Sequence, residues 1–562
     1  MTTFKSYGRV DDAGQARLEA RRKTRKRVAI ISISSLILVA IVVAAVVGTT
    51  ASNRSSGDSG QPLSTSVKAV CDVTIYPDSC YASLRPAINS SHVTPEDLFR
   101  LSIQVAINEL QKTAGYFSKL SATKDKIPAA ALKNCQDLLD LALDDLAKSL
   151  SSSSASLNNG IDDLRTWLSS AETAFDTCID GFDGNKELQN TIVSHLKSCT
   201  ELTSNSLAIV TWIKKVTGAL NLRRLLSNGE DSVPEWLSTG DRRVLRDDSD
   251  KLRKNADIVV AKDGSGKYKK IADALKAVKD KNKKRTVIYV KKGVYNENLR
   301  VEKKKRNVLM IGDGMNSTIV SGSLNVVDGT PTFSTATFAV FGQGFIGRDM
   351  GFRNTAGAIK HQAVALMASA DMVVFYRCRI DAFQDSLYAH SNRQFYRECV
   401  ITGTVDFIFG NAAVVLQNCN ILPRVPMKGQ MNTITAQGKT DPNQNTGIAI
   451  QNCTILPNGD LSSVQTYLGR PWKNYSTTAY LQSYMGSLIH PSGWLPWTGD
   501  NAPKTIFYSE FQNSGPGSNT AYRVKWKGLR KINHKDASKF SVTSFLQGKN
   551  WIPDGVPYKP SI

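Results

Sequence analysis

The pattern of apolar and polar positions changes character near residue 220 of this 562-residue chain. Before that point, apolar residues recur with a helical period. In CQDLLDLALDDLAKSL, the positions i, i+3, i+4, i+7 and i+11 are occupied by Cys135, Leu138, Leu139, Ala142 and Leu146. After residue 255, short apolar runs are separated by Gly, Asn and Asp, which is typical of strands. We therefore predict an up-and-down helical bundle over residues 64–220 and an all-β unit over residues 255–562.

A long apolar stretch precedes the predicted bundle. Residues 28–48, VAIISISSLILVAIVVAAVVG, carry no charge and could cross about 30 Å of hydrocarbon as a helix. The basic segment RLEARRKTRKR lies directly before them, so residues 1–27 are expected in the cytoplasm and the remainder in the lumen. The pattern predicts a transmembrane signal-anchor, with a cleaved signal peptide as the alternative.

Residues 221–254 separate the two predicted units and show no sustained period. They contain Gly, Pro and two dibasic pairs, Arg223–Arg224 and Arg242–Arg243. A dibasic pair in an exposed linker of a secreted chain is a plausible processing site. We therefore expect a cleavable linker and a processing protease as a partner.

The net charge of +22 indicates an anionic partner, for which nucleic acid, an anionic membrane surface and an acidic polymer are the candidates. The basic residues are spread along the chain without the aromatic interleaving of a nucleic-acid-binding module, so no nucleic acid is expected. A lumenal chain can carry glycans. The acceptor sequences are at Asn53, Asn89, Asn316, Asn452 and Asn474.

The nine cysteines leave at least one unpaired thiol in a monomer. In an oxidising compartment, Cys135 and Cys178 could join two helices, and Cys71 with Cys80 could close a small loop at the start of the bundle. Buried free thiols are the alternative.

The all-β region contains a repeat. FYRCRI at 375–380 returns as FYRECVI at 395–401 and as LQNCNI at 416–421, so that Cys378, Cys399 and Cys419 are 21 and 20 residues apart. Self-similarity at this period is typical of a solenoid, in which each coil stacks on the one before. The repeat predicts a parallel β-helix with the cysteines in an inward-facing ladder.

Two aspartates follow the same repeat. Asp385 lies seven residues after Cys378, and Asp406 lies seven residues after Cys399. Equivalent positions on adjacent parallel strands are about 4.8 Å apart, so the two carboxyl groups are expected to interact. Such a pair does not ionise twice easily: one pKa rises and the other falls. One carboxyl is then a proton donor while the other acts as a nucleophile or base.

Other residues could complete such a site. Arg470, in YLGRPW, could hold one carboxylate ionised through a bidentate pair. Gln384 and Gln362 offer neutral donors for a developing oxyanion. Trp472, together with Phe407 and Phe409, could form a platform for a sugar ring. The six histidines show no metal-binding spacing, and no Gly-x-Ser-x-Gly elbow is present, so neither a metal site nor a serine hydrolase is expected.

Five motifs occur in one order along the all-β region: GVYNE (293–297), HQAVAL, FQDSLY, GTVDFIFG and LGRPW. Together they resemble the plant pectin methylesterases, carbohydrate esterases that fold as a right-handed parallel β-helix. Residues from about 65 to 220 look like the pectin methylesterase inhibitor domain, a four-helix bundle. Its pairing cysteines correspond to Cys71 with Cys80 and Cys135 with Cys178.

The resemblance implies a role for each site residue. Asp406 corresponds to the nucleophile, Asp385 to the acid/base and Gln384 to the stabiliser of the transition state. The residues implied to contact the polymer are Thr332, Gln362, Arg470 and Trp472. Phe383 and Ser386 replace the Tyr and Thr of the usual motif, which leaves the acid and its glutamine in place.

The resemblance also implies a Cys419–Cys453 bridge with Cys378 and Cys399 reduced, and no metal or other cofactor. The expected function is hydrolysis of methyl esters of homogalacturonan, whose free carboxylates would attract a basic enzyme.

The expected protein is a monomer that is made as a Golgi-membrane precursor and then reaches the extracellular cell wall. The bundle is expected to restrain activity or to aid folding before cleavage. Two alternatives stay open: a retaining glycosidase, since carboxyls about 5 Å apart also suit that mechanism, and an interaction module whose bundle inhibits a partner.

Overall fold

The computed structural model describes residues 67–88, 93–120, 129–153, 157–221 and 249–562. The predicted signal-anchor, both dibasic pairs, Asn53 and Asn89 lie outside these residues. Within the described part of the chain, no helix is both long and apolar enough to cross a membrane. The chain divides into two compact units, Met1–Lys68 and Ala69–Ile562, and the helical and β regions described below both lie in the second.

The predicted bundle is present. Its helices are α1 Pro77–Leu84, α2 Pro95–Leu120, α3 Ala129–Ser152, α4 Leu157–Asp180 and α5 Lys186–Asn221. The four long helices contact one another in a ring, α2 with α3 and α5, and α4 with α3 and α5, while the short α1 packs on α2 and α5. The five periodic positions from Cys135 to Leu146 are all buried, as their spacing predicts.

Two disulfides stabilise this region. Cys71, which precedes α1, is bonded to Cys80 within α1, and Cys135 of α3 is bonded to Cys178 of α4. Both predicted pairs are therefore confirmed. Cys199, on α5, is a buried free thiol that donates to Thr113 Oγ1 at 3.3 Å.

Residues 258–530 form three parallel sheets, here called A, B and C, whose strands are numbered in chain order. Sheet A contains β1 Ile258–Val260, β2 Thr286–Val290, β5 Val308–Ile311, β8 Ile346–Arg348, β11 Val373–Tyr376, β14 Arg393–Arg397, β17 Ala413–Gln417, β20 Gly447–Gln451, β23 Thr477–Leu481, β25 Phe507–Phe511 and β26 Leu529–Arg530. Sheet B contains β3 Gly293–Asn296, β6 Thr318–Gly322, β9 Gly351–Asn354, β12 Arg379–Asp381, β15 Val400–Gly403, β18 Asn420–Pro423, β21 Thr454–Ile455 and β24 Tyr484–Met485. Sheet C contains β4 Leu299–Val301, β7 Phe338–Val340, β10 Leu366–Ala368, β13 Leu387–Ala389, β16 Ile408–Gly410, β19 Asn432–Gln437 and β22 Thr466–Gly469.

From β2 to β24, the strands enter sheets A, B and C in turn, and each strand pairs with its equivalent in the next coil. The predicted parallel β-helix is thereby confirmed. Side chains from all three sheets fill its interior. The remaining helices pack at its margins: α6 Ser249–Lys254 on β2 and β5, α7 Ile271–Ala277 on β1 and β4, and α9 Val542–Leu546 on β17, preceded by α8 His534–Ala537.

The bend between sheets A and B explains the cysteine ladder. In the four coils that begin with β11, β14, β17 and β20, one left-handed residue makes the bend: Arg377, Glu398, Asn418 or Asn452, with φ between 51° and 54°. The residue that follows points inward, and these residues are Cys378, Cys399, Cys419 and Cys453. The ladder therefore has a fourth member beyond the three that the repeat predicts.

The predicted Cys419–Cys453 bridge is wrong, because both residues are free thiols in the structure. Each thiol donates to backbone carbonyls near its own bend: Cys419 Sγ lies 3.6 Å from the Gln417 oxygen, and Cys453 Sγ lies 3.4 Å from the Gln451 oxygen. Cys453 Sγ also accepts from the Cys419 backbone N–H at 3.3 Å. The prediction that Cys378 and Cys399 are reduced is confirmed.

Candidate active site

The two aspartates lie at the same point of successive coils. Strand β13 pairs with β16 in a register that joins Leu387 to Ile408, a shift of 21 residues. The same shift relates Asp385 to Asp406, and the Asp385 backbone N–H donates to the Val405 oxygen at 3.1 Å. The juxtaposition predicted from the repeat is therefore confirmed, and both side chains are buried.

Both aspartates occupy the left-handed region, with φ of 64° at Asp385 and 51° at Asp406. Residues other than Gly adopt this backbone conformation at a cost in free energy, and such residues concentrate at functional sites. Gly403 makes room for the bend at Asp406, since a Cβ there would lie 2.2 Å from Phe407 Cβ. The glycine that opens GTVDFIFG is thus a requirement of close packing.

Asp406 is held by donors on both oxygens. Arg470 donates from Nε to Oδ1 at 2.9 Å and from Nη2 to Oδ2 at 2.7 Å. Thr433 Oγ1 donates to Oδ1 at 2.6 Å and accepts from the Asp406 backbone N–H at 2.8 Å. A bidentate arginine pair of this kind favours the ionised carboxylate.

Asp385 has the opposite surroundings. Burial and the neighbouring Asp406 carboxylate raise the pKa of Asp385 well above its usual value, and the Arg470 charge opposes this only in part. Burial therefore favours the protonated form of Asp385, which agrees with the predicted direction. One carboxyl group of the pair favours its proton beside a carboxylate that an arginine fixes.

Gln384 and Gln362 lie on adjacent coils, because the Ala363 backbone N–H donates to the Gln384 oxygen at 3.3 Å. Both side chains are partly exposed. Among the described residues, neither side-chain amide has a hydrogen-bond partner, so both remain available to a ligand. Gln384 directly precedes Asp385 and is the nearer donor along the chain.

A row of ring contacts runs past the aspartates. We call it the aromatic strip and define it as Phe333, His390, Tyr388, Phe409, Trp472 and Trp497. Successive ring centroids lie 5.4, 5.1, 4.1, 6.1 and 6.4 Å apart. The Arg470 guanidinium lies 4.3 Å from the Trp497 ring, which joins the strip to Asp406.

The structure joins Trp472, Phe409 and Arg470 to the predicted site. Thr332 lies next to Phe333 at the far end of the strip, in the 3-10 turn Thr332–Ser334. Phe407 does not belong to the platform, because it lies in the interior core. Phe407 lies in the bend before β16 and not in the strand itself. The rule that alternate residues of a strand share a face therefore does not place Phe407 beside Phe409.

Sequence reasoning missed Tyr388, His390, Phe333, Trp497 and Thr433. Tyr388 and Phe409 occupy the same register position of β13 and β16, so the repeat could have found that stacked pair. Thr433 follows no visible repeat, because a longer loop separates it from the preceding coil.

Helix α4 of the bundle lies against the strip with a row of buried small polar residues. Their spacing of i, i+3, i+4, i+7 and i+11 marks one helical face, formed by Thr166, Ser169, Ser170, Thr173 and Thr177. This face is distinct from the face of α4 that packs into the bundle core. Its helical period is visible in the sequence, but no prediction was drawn from it.

The threonine hydroxyls on this face act as acceptors toward the β-helix. Thr177 Oγ1 donates to the Thr173 oxygen within the helix at 2.8 Å, so its lone pair accepts from His390 Nε2 at 2.9 Å. Thr173 likewise donates within the helix and accepts from Asn411 Nδ2 at 2.9 Å. Burial lowers the pKa of His390 to about 3, so this contact involves a neutral ring.

Family models match both regions. The model "Pectinesterase" matches residues 257–549, and the model "Plant invertase/pectin methylesterase inhibitor" matches residues 65–209.

Two relatives match this chain along nearly its whole given length. "Probable pectinesterase/pectinesterase inhibitor 46" of Arabidopsis thaliana is 57% identical over 560 residues, covering 98% of each chain. "Pectinesterase 3" of Phaseolus vulgaris is 48% identical and also covers 98% of each chain. Among solved structures, a pectin methylesterase from carrot is 52% identical with a TM-score of 0.54, covering 55% of this chain and 98% of its own.

Proposed function

This chain belongs to the pectinesterase family and has an inhibitor-like N-terminal region, and from that premise we propose that Asp406 and Asp385 carry out its ester hydrolysis. The substrate class is methyl-esterified homogalacturonan. The observation that carries the proposal is the contrast within the aspartate pair: Asp406 is fixed by Arg470, whereas Asp385 is buried beside it with a raised pKa.

In the first half of the reaction, an Asp406 oxygen attacks the ester carbonyl carbon. The carbonyl oxygen becomes an oxyanion, which the Gln384 amide stabilises with help from Gln362. The bond to the methoxy group then breaks as Asp385 gives its proton to the departing oxygen, and methanol leaves. An acyl-enzyme on Asp406 and an ionised Asp385 remain.

In the second half, Asp385 takes a proton from water, and the hydroxide attacks the acyl carbon. The bond to Asp406 breaks and returns its carboxylate to Arg470, while Asp385 is again protonated. The polymer keeps a free galacturonate carboxyl group. Trp472 and Thr332 would contact sugar rings along the aromatic strip.

The test is methanol release from methylated pectin by the chain cleaved in its linker. Asp406→Asn and Asp385→Asn should each abolish release while the unfolding midpoint stays near that of the unmutated chain. Asp536→Asn, an exposed aspartate paired with Lys539, is the matched control and should keep full activity. An active Asp406→Asn enzyme would refute the proposal. Shortening of the polymer instead of methanol release would support the glycosidase alternative.

The bundle, we propose, restrains this activity before cleavage. Its helix α4 covers His390, the second ring of the aromatic strip, and Asp180 at the end of α4 pairs with Lys473, beside Trp472, at 2.7 Å. Methanol release before and after cleavage at Arg224 or Arg243 tests the idea, and equal rates would remove it.

The boundaries and route predicted from the sequence belong to the same proposal: an anchor at 28–48, a linker at 221–254 cut by a protease, and a monomeric enzyme released from the Golgi membrane to the cell wall. Asn316 and Asn474 are exposed and fit glycan attachment. Asn452 is also exposed, but its amide donates to Asn418 Oδ1 at 2.8 Å, a contact that a glycan would break.

A further inference from the structure

The ion pairs between the bundle and the β-helix share one polarity. Among the described residues, the basic partner always comes from the β-helix and the acidic partner from the bundle. The pairs are Arg300–Asp137 at 3.2 Å, Lys303–Asp144 at 2.7 Å, Arg393–Asp163 at 2.7 Å and Lys473–Asp180 at 2.7 Å. A surface built only for docking has no need of such uniformity, whereas a surface for a polyanion does.

Two of these basic residues lie beside opposite halves of the aromatic strip. Lys473 Nζ lies 5.1 Å from the ring of Trp472, the fifth of the six rings. The Arg300 guanidinium lies 3.9 Å from the Phe341 ring, and Phe341 in turn contacts Phe333 with centroids 6.0 Å apart. A row of rings flanked by cations is suited to a polymer of sugar rings that carry carboxylates.

Arg393 differs from the other three and is set aside. Its side chain is only 2% exposed, and Asp371 of the β-helix already binds it through two nitrogens. Arg300, Lys303 and Lys473 keep 37%, 39% and 26% exposure under the bundle. They are the cations that a ligand could reach once the bundle leaves.

We propose that Arg300, Lys303 and Lys473 bind free carboxylates of de-esterified galacturonate on either side of the aspartate pair, and that Asp137, Asp144 and Asp180 of the bundle occupy these subsites as stand-ins. The ligand is the polygalacturonate anion, since a fully methylated polymer has no charge to offer. The inference rests on the proposed function for its substrate class, and it adds binding residues beyond the motifs.

The test measures polygalacturonate binding without turnover, by retention on the immobilised polymer. Residues 249–562 can be produced alone, because the carrot structure, 98% of which is covered by 55% of this chain, shows that such a part folds without the bundle. The variant R300Q/K303Q/K473Q removes three cations from the proposed subsites. The matched control K267Q/K531Q/K539Q removes three exposed lysines that form no ion pair with the bundle among the described residues.

In residues 249–562, the subsite variant should bind polygalacturonate about tenfold more weakly than the control variant, since three partly exposed charge contacts are lost. Salt should diminish the difference. In the intact chain the two variants should bind equally, because the aspartates occupy the subsites. Equal polygalacturonate binding by the two variants of residues 249–562 would overturn the proposed subsites. If the two variants of the intact chain differed in binding by the same factor, the proposal that bundle aspartates occupy the subsites would be overturned.

This readout separates the two proposals. If Asp406→Asn keeps its activity while the subsite variant loses binding, the mechanism fails and the subsites stand. If Asp406→Asn is inactive while both triple variants bind alike, the mechanism stands and the subsites fail.

Discussion

Two arginine–aspartate pairs on the β-helix are built alike but have different surroundings. Arg470 binds both oxygens of Asp406, and Arg393 binds both oxygens of Asp371. The second pair is closed: its side chains are 2% and 3% exposed, and Trp167 of the bundle donates to Asp371 Oδ2 at 3.0 Å. The first pair is open on one side, since Arg470 keeps 23% exposure.

The difference lies in what completes each carboxylate. Burial alone would raise the pKa of Asp371, but the Arg393 charge and hydrogen bonds lower it below the usual range. The carboxyl groups that interact with Asp371, those of Asp145 and Asp163, lie on the bundle that closes the pair. Asp406 instead has Asp385 of the β-helix itself within interaction range, beside an arginine that is partly exposed. The same pair of residue types is thus structural where the bundle seals it and available for chemistry where it is open.

The largest effect is expected from removing the arginine of the open pair. Arg470→Met removes the two hydrogen bonds and the positive charge that fix the Asp406 carboxylate, so the nucleophile loses its orientation and its counter-charge. Methanol release should fall about a thousandfold. The unfolding midpoint should change little, because Arg470 is partly exposed. Activity within tenfold of the unmutated enzyme would contradict the assigned role.

The equivalent change in the closed pair should act on stability instead. Arg393→Met leaves the buried Asp371 charge without its main partner, which should cost the intact chain about 3 kcal/mol of unfolding free energy. Denaturant unfolding measures this loss. In residues 249–562 the loss should be smaller, since Asp371 is then open to water. An equal loss in both forms would show that the bundle does not seal the pair.

A smaller effect is expected at Thr433, which donates to Asp406 Oδ1 and fixes its backbone. Thr433→Val removes one charge-assisted hydrogen bond and should lower kcat roughly tenfold. Thr433→Ser keeps the hydroxyl group and should restore most of the rate. If Val and Ser behave alike, the hydroxyl does not position the nucleophile.

The pairing of Asp385 with Asp406 could be predicted from the sequence because a 21-residue repeat fixes both at one register position. The cysteine ladder followed from the same repeat, up to Cys419. Thr433 and Cys453 could not be placed in this way, since both come after longer loops that shift the spacing between coils. The covering of His390 by α4 depends on packing between two distant regions, which no local pattern encodes, although the polar face from Thr166 to Thr177 carried a signal.

The smallest effect concerns the pH dependence of the contact between helix α4 and the β-helix, which we call the seam. Glu172 on α4 is buried, and burial, Asp441 and Asp176 raise its pKa well above the usual value, which Lys439 opposes only slightly. Burial also raises the pKa of Asp176 to about 6, against the Lys473 charge. A carboxyl group whose pKa is raised by folding stabilises the folded state while it is protonated. Its contribution to the free energy of unfolding is complete below about pH 4 and is lost as the pH rises through the raised pKa of the folded state.

Between pH 5 and pH 7 the intact chain should therefore lose about 1–2 kcal/mol of unfolding free energy through this cluster. The Glu172→Gln variant has no ionisable side chain at this position and should lose less unfolding free energy over the same pH window. The control Asp536→Asn, at an exposed ion pair, should show the same pH profile as the unmutated chain. The pKa of Lys439, lowered to about 8 by burial, keeps that side chain charged throughout the window, so it does not mask the effect. Parallel pH profiles for Glu172→Gln and the unmutated chain would mean that Glu172 does not titrate between α4 and the β-helix.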